Sequence, residues 1–268
     1  MEIREIKSIS ELEKVQQLEK EVWAQSPIPI HQTLTAIKNG GIVVGAFHGE
    51  DLAGFSYSFA GFKNGKVHLT SHILAISSMV REQGIGEALK WEQRKIAIER
   101  GYEMMLWTYD PLETRNGYLN LTKLHAICDT YIENCYGEMQ DGLNKGLPSD
   151  RFEVNWHLTS KYVEEKCTID FTNASVIAPY SMNESHFPVL AEVDTQLSLE
   201  EEVYLLPVPQ NMQLLKAADP DLALEWRLKT RLLIQSFFSK GYVAVRLEKG
   251  KKEVHYYVFV KRELIDLT

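Results

Sequence analysis

The stretch that most constrains the fold of this chain begins at Ile73 and ends at Gly101. An apolar run that closes at Ile76 is followed by a segment with two glycines, Gly84 and Gly86. Beyond them, apolar residues recur at helical spacing, which predicts an amphipathic helix. Gly101 is well suited to end that helix. The sequence therefore predicts a buried strand that leads through a glycine turn directly into a helix.

A glycine turn before a helix is suited to bind phosphate. The first N–H groups of a helix lack intrahelical partners and lie at the positive end of its dipole. Gly84 and Gly86 let an anion approach closely because they have no Cβ, and Arg81 can add positive charge. A plain strand–helix turn is the alternative, since Gly-x-Gly alone is a weak signal. A dinucleotide fingerprint is excluded because Leu89 replaces its third glycine, and no Gly-Lys-Ser/Thr of a P-loop follows.

The order Arg-x-x-Gly-x-Gly, with Arg81 five residues after Ile76, resembles motif A of the GNAT acyltransferase superfamily. The resemblance implies that the turn amides hold the pyrophosphate of coenzyme A, and that acetyl-CoA or another acyl-CoA is the co-substrate. It assigns cofactor binding to nine positions, which are Leu74, Ile76, Arg81, Gln83, Gly84, Ile85, Gly86, Glu87 and Asn116.

The elements predicted before the motif agree with the resemblance. A strand at 1–7 precedes a helix that a capping box at Ser10–Glu13 opens, and a short helix follows at 31–38. Three strands come next, and Asn64-Gly65 is a strong hairpin signal between the last two. A further strand, Tyr102–Asp110, follows the motif helix. This order is that of the GNAT fold, so the predicted class is mixed α/β with splayed central strands.

The chain is long enough for two domains. We predict a GNAT domain at 1–162 and a smaller αβ domain at 163–268. The second is predicted to contain strands at 167–177 and 203–208, and a helix that Asp219-Pro220 opens. Segments 107–112 and 146–151 resemble a two-domain GNAT subgroup, some relatives of which resemble amino-acid N-succinyltransferases.

Three residues are candidates for the proton transfers that the resemblance implies. His72 can be neutral near pH 7 and act as a base, although a core histidine is the alternative; His68 is a weaker candidate. Asp110 can bind an ammonium group or cap the turn before Pro111. No tyrosine stands at the position where many GNAT enzymes carry the general acid, so Tyr131 is assigned to that role only weakly.

Two arginines interrupt an otherwise apolar helix. Arg227 and Arg231 are one helical turn apart and therefore neighbours on the helix surface. A helix that is apolar nearly all round is usually buried, and buried arginines need anionic partners. One interpretation is structural pairing with Asp or Glu. The other is a clamp for a substrate carboxylate.

Charge and cysteine content narrow the partners. The net charge of −8 and the pI of about 5.6 argue against nucleic acid or an anionic membrane as the main partner. Three scattered cysteines make neither a disulfide framework nor a zinc motif, so no metal is predicted. Without an apolar leader or a long apolar run, a cytoplasmic location is expected. The sequence leaves both a monomer and a homodimer open.

The function predicted from these features is acyl-CoA-dependent N-acyltransfer, acetyl or succinyl, to the amine of a small molecule such as an amino acid. The amine would attack the thioester directly in a ternary complex. An alternative from another class is a non-catalytic acyl-CoA sensor with a degenerate site, which the missing tyrosine favours. A protein acetyltransferase is less favoured because the chain is acidic.

Overall fold

The computed structural model describes residues 1–23, 26–80, 83–139, 141–142, 144–193, 198–250 and 253–268. The chain divides into two compact units. The first comprises 1–107 and 157–159, and the second comprises 108–156 and 160–268.

The first unit is built on a sheet of strand order β1-β2-β3-β4-β5, in which β4 and β5 are parallel and the other neighbours are antiparallel. A short 3₁₀ turn, Ser78–Val80, follows β4. The elements are β1 (Glu2–Glu5), α1 (Ile9–Trp23), α2 (Ile30–Lys38), β2 (Ile42–His48), β3 (Asp51–Lys63), β4 (Lys66–Ile76), α3 (Ile85–Glu99) and β5 (Met104–Tyr109), whose last two residues belong to the second unit.

The helix α1 covers one part of this sheet through a regular apolar stripe. Leu12, Val15 and Leu18 are buried against Phe47 and Phe55. The capping box that opens α1 lies two residues earlier than predicted. Its members are Ser8 and Glu11, and the Glu11 N–H donates to Ser8 Oγ over 3.3 Å while the Ser8 N–H donates back to Glu11 Oε2. The prediction of Ser10–Glu13 was wrong because both serines precede a Glu at capping-box spacing.

The second unit contains a sheet of order β7-β6-β12-β13-β11-β8 and a separate pair, β9 and β10. A π-helical turn, Tyr118–Lys123, follows α4, and a 3₁₀ turn, Arg262–Leu264, follows β13. The elements are α4 (Thr114–Gly117), β6 (Ile127–Ile132), β7 (Arg151–His157), α5 (Lys161–Glu164), β8 (Ser175–Val176), β9 (Tyr180–Met182), β10 (Pro188–Leu190), β11 (Val203–Pro209), α6 (Met212–Ala218), α7 (Pro220–Ser239), β12 (Tyr242–Glu248) and β13 (Val254–Lys261).

The division into units differs from the predicted boundary between 162 and 163. Strand β12 lies beside β6, with Ala244 opposite Cys128, so β6 and β7 group with the strands that follow them. The prediction of a strand at 167–177 was wrong in part, since only Ser175–Val176 is formed. Asp170 accepts hydrogen bonds from the N–H and hydroxyl of Thr172. Such local bonds compete with a strand ladder.

Candidate functional site

The predicted glycine turn is formed at the start of α3. Gly84 is the N-cap of α3, with φ 77° and ψ 4°, in the left-handed region that favours glycine. As a glycine, Gly84 has no side chain with which to cap the helix. A Cβ added to Gly84 would find no described atom within 4 Å. The amides of Ile85, Gly86 and Glu87 form the first turn of α3 beside this open position, and the first N–H groups of a helix have no intrahelical partner.

The residues around this turn differ in exposure. Gln83 and Gly84 are exposed, whereas Ile85 is buried and anchors the first turn of α3. Glu87 is an acidic residue in that first turn, where a carboxylate interacts favourably with the helix dipole. The predicted contribution of Arg81 falls outside the residues that the structure describes.

Strand β4 contains a β-bulge at His72. Opposite β3, Ser71 faces Ser58 and Ile73 faces Tyr57, so His72 has no partner in the ladder. Bulges of this kind redirect a side chain and occur often next to active sites. The bulge separates His72 from the regular alternation of the strand.

The surroundings of His72 favour a neutral imidazole. His72 is an exposed residue by surface area, but the rings of Tyr57 and Phe59 lie 6.0 and 5.7 Å from its ring, centroid to centroid. Burial lowers the pKa of His72 below its ordinary value. The other candidate on this strand, His68, is buried and its Nε2 is 3.2 Å from Thr70 Oγ1. His72 therefore has the properties of a base at neutral pH.

Beyond the bulge, β4 carries the two other predicted cofactor contacts. Leu74 lies opposite Ser56, and Ile76 lies opposite Gly54. A Cβ on Gly54 would come within 2.8 Å of Ile76 Cδ1, so the glycine makes room for the end of the strand. Both apolar side chains are half-buried.

The remaining predicted residues belong to the second unit. Asn116 is exposed on α4. A polar cleft of about 660 Å³ lies beside that helix, which is a size suited to a small molecule. The cleft is lined by Leu112, Glu113, Thr114, Arg115, Tyr118, Gln210, Asn211, Met212, Leu214, Lys249, Glu253 and His255.

The Asp110 side chain is bound by other residues of the protein. Its Oδ1 accepts the N–H of Leu112 over 2.8 Å, which is the turn cap that the sequence allowed. Its Oδ2 accepts a hydrogen bond from Arg227, and Arg151 Nη1 is 3.8 Å away. Both carboxyl oxygens of Asp110 are thus engaged by other groups of the chain, which makes Asp110 a weak candidate for a base.

Tyr131 is also engaged by a neighbour. Its hydroxyl donates to Asp150 Oδ2 over 2.5 Å. Burial, together with the nearby Asp150 carboxylate, raises the pKa of Tyr131 well above its ordinary value. The tyrosine therefore keeps its proton, and releasing that proton to a leaving group would cost the bond to Asp150.

Both arginines of α7 have carboxylate partners. Arg231 binds Asp150 through two bonds, Nε to Oδ2 over 2.8 Å and Nη2 to Oδ1 over 2.9 Å, and its Nη1 binds Glu133 over 3.0 Å. Its three nitrogens are thus occupied, as the structural interpretation expects. Arg227 donates to Asp110 through Nη2. Its Nε and Nη1 are buried and have no hydrogen-bond partner among the described residues.

The cluster of charged side chains formed by Asp110, Asp150, Arg151, Arg227 and Arg231 was predicted only in part. Arg227 and Arg231 could be singled out because they interrupt an apolar helix. Asp150, which is fully buried, and Arg151 carry no such signal because they follow a loop. A second unpredicted residue is Lys90 of α3, which is 2% exposed. Lys90 lies three residues before Gln93 and seven before Ala97, on the buried face of α3. This helical spacing is the sequence signal that could have predicted its burial.

Two further features concern metals and membranes. Among the residues that the structure describes, no group of three or more His, Cys, Asp or Glu side chains is arranged to hold a metal ion. Within the same residues, no helix has the length and apolar character needed to cross a bilayer.

No protein-family model and no curated protein matches this sequence. Solved structures do resemble it. An N-acetyltransferase from Staphylococcus aureus Mu50 superimposes with a TM-score of 0.50 at 14% identity, over 59% of this chain and 98% of that one. An acetyltransferase described as of the GNAT family from Desulfovibrio desulfuricans gives 0.46 at 13% identity, over 59% and 99%. The ribosomal-protein-S18-alanine N-acetyltransferase from Escherichia coli gives 0.48 at 14% identity, over 59% and 93%. At these identities the likeness concerns the fold alone, and the predicted mixed α/β class is thereby confirmed.

Proposed function

We propose that this protein is an acyl-CoA-dependent N-acyltransferase that acts on the amine of a small molecule. The observation that carries the proposal is the glycine N-cap of α3 at Gly84, which leaves open space at the helix start and follows a strand with a bulge at His72. An open helix start binds phosphate groups. A bulged strand beside it offers a neutral base and irregular backbone at the reacting end.

The described residues of the first unit have separable tasks in such a reaction. The amides of Ile85, Gly86 and Glu87 are donors for the pyrophosphate of the acyl-CoA. That co-substrate supplies an activated thioester with a good leaving group. His72 takes a proton from the attacking amine, because its lowered pKa keeps it neutral at pH 7. Holding both reactants in place contributes about 7–11 kcal/mol to lowering the barrier in favourable cases.

The turn is tested by Gly84→Glu, which places a carboxylate beside the amides meant for phosphate. Gly101→Glu is a matched control: Gly101 also has a positive φ, 84°, lies just beyond the other end of α3, and has no described atom near its missing Cβ. Binding of acetyl-CoA, measured by calorimetry, should weaken at least tenfold in Gly84→Glu alone. Equal binding by both folded variants would refute the phosphate role of the turn.

A finer proposal concerns the substrate. Arg227 has two buried nitrogens without a partner among the described residues, and burial of unsatisfied donors is costly. A carboxylate of the acyl group or of the acceptor amine would satisfy them. This chemistry favours succinyl over acetyl transfer, or an amino acid over a simple amine. Because Arg231 already binds two carboxylates of the chain, the proposal places the substrate carboxylate on Arg227.

Arg227→Lys tests this idea because a lysine can keep the pair with Asp110 and loses the two other nitrogens. The ratio of kcat/KM for a carboxylate-bearing substrate to that for its uncharged analogue should fall at least tenfold. Arg231→Lys should leave the ratio unchanged. An equal loss on both substrates in Arg227→Lys would show that the arginine is structural.

One observation favours a non-catalytic acyl-CoA sensor instead. Asp110 and Tyr131, two of the three candidate catalytic residues, are bound by other residues of the chain. Acyl-CoA binding without thiol release, across a panel of amines and amino acids, would favour the sensor. Thiol release with any of them establishes the enzyme.

A further inference from the structure

Lys90 is a lysine in the core of the first unit. It lies on the face of α3 that packs on the sheet, among Leu89, Gln93 and Ala97, and is 2% exposed. A buried ammonium group is costly to desolvate, so lysine is rarely found in such a place. Burial lowers the pKa of Lys90 well below its ordinary value.

The Lys90 amine contacts both β4 and β5. Its Nζ donates to Ser71 Oγ on β4 over 2.8 Å and to Gln93 Oε1 over 3.1 Å. The same nitrogen lies 3.8 Å from the centroid of the Trp107 ring on β5, and 3.4 Å from the sulfur of Met105. One amine therefore links two strands to the helix above them.

These contacts occur at the end of the pairing between β4 and β5. The parallel register of β4 and β5 pairs Leu69 with Met105 and Thr70 with Leu106. Ser71 and Trp107 are the next residue on each strand. On each of the two strands, Lys90 thus contacts the first residue after the last β4–β5 pair.

The bulge begins at the same place. Ser71 directly precedes His72, which has no partner on β3. A bulge residue beyond the last pair of two strands has fewer backbone restraints than a residue in a regular ladder. The bond from Lys90 to Ser71 restrains the strand one residue before the bulge.

We propose that Lys90 is a positioning residue, whose amine fixes β4 at its separation from β5 and thereby sets the place of His72 and of the β4 backbone against the acyl group. This proposal rests on the N-acyltransferase function. Lys90 itself touches no reacting atom and takes part in no covalent step.

Two variants test the proposal from opposite ends of one bond. Lys90→Met keeps the length and apolar stem of the side chain but removes its donors, and Ser71→Ala removes the acceptor while leaving Lys90 in place. Ile96→Val is the control. Ile96 is buried on α3 like Lys90, but its side chain is apolar and cannot hydrogen-bond to Ser71. It reports the effect of a core change in the same helix.

In steady-state kinetics, Lys90→Met and Ser71→Ala should each lower kcat about tenfold to a hundredfold, since small displacements of reacting groups have effects of that size. The KM for acyl-CoA should stay within about twofold, because the glycine turn is untouched. Ile96→Val should keep both parameters. An unchanged kcat in both test variants would overturn the proposal.

Amide hydrogen exchange gives a second measurement that does not need turnover. Exchange at residues 71–73 should quicken in Lys90→Met and Ser71→Ala, and should not in Ile96→Val. If it does not quicken, the positioning role fails whatever the activity. If it quickens while the wild-type protein acylates no amine, then Lys90 restrains the strand but the proposed function is wrong.

Discussion

At the scale of single residues, Lys90 makes stability depend on pH. The folded state lowers its pKa, whereas the unfolded chain has an ordinary value near 10.4. As pH falls below 10.4, the unfolded lysine binds a proton that the folded lysine does not bind. The free energy of unfolding of the wild-type protein therefore decreases as pH falls, until the folded pKa is reached.

Lys90→Met should remove this dependence. The difference in unfolding free energy between variant and wild type should be smallest near pH 10. It should grow in favour of the variant by up to about 1.4 kcal/mol per pH unit below that. Urea denaturation at several pH values measures this difference. A constant difference between pH 6 and 10 would show that Lys90 is protonated in the folded protein.

His72 gives a prediction about activity. Because its pKa is lowered, kcat/KM should rise with pH through one ionisation whose midpoint lies below 6.5, and should be level near pH 7. His72→Asn should abolish this rise and cost about 10²-fold or more. His68→Asn on the same strand should keep the rise. A pH profile that is identical in wild type and His72→Asn assigns the proton transfer to another group.

At the scale of elements, α7 has the start that the sequence predicts. Pro220 occupies its first turn, and Asp219 Oδ1 accepts the N–H of Leu222 over 3.0 Å. Asp219→Ala should lower the free energy of unfolding by about 1 kcal/mol, as loss of an N-cap usually does. Asp221→Ala, in the same turn but without a capping bond, should cost less than half as much. Chemical denaturation compares the two variants, and equal losses would mean that the capping bond contributes nothing.

Local signals explain which elements could be predicted. The hairpin at Asn64-Gly65 formed because both residues have positive φ, 52° and 78°, as a tight turn requires. The turn at Gly84 and the start of α7 were likewise predictable from neighbouring residues. The strand predicted at 167–177 was wrong in part. The apolar residues of this segment favour a strand, but Asp170 and Thr172 bond to each other instead.

The bulge at His72 and the partners of Arg227 could not be predicted in the same way. A bulge depends on the register between two strands, and the sequence of β4 alone does not determine that register. Arg227 is 117 positions from Asp110, and Arg231 is 81 positions from Asp150. Patterning could show that these arginines need anions, but not which carboxylates supply them.

At the scale of the whole molecule, the pairing of β6 with β12 predicts how the chain tolerates truncation. A chain that ends at the predicted boundary, residue 162, lacks β12 and leaves an edge of β6 unpaired. It also lacks α7, so Asp150 loses Arg231. Open strand edges promote aggregation, and breaking a buried ion pair typically costs 3–5 kcal/mol. The 1–162 chain should therefore be insoluble or aggregated by light scattering, and a stable monomer would contradict this.

The long-range pairs also bear on how such sequences can diverge. Loss of Arg227 leaves Asp110 with one fewer cation, and loss of Asp150 leaves Arg231 with Glu133 alone. A substitution at one position of such a pair is therefore destabilising unless the partner position also changes in the same lineage. Among descendants of this chain, positions 110 and 227 should covary, as should 150 and 231. Recombination that joins the first half of one homologue to the second half of another will succeed only where both parents inherited the same charges.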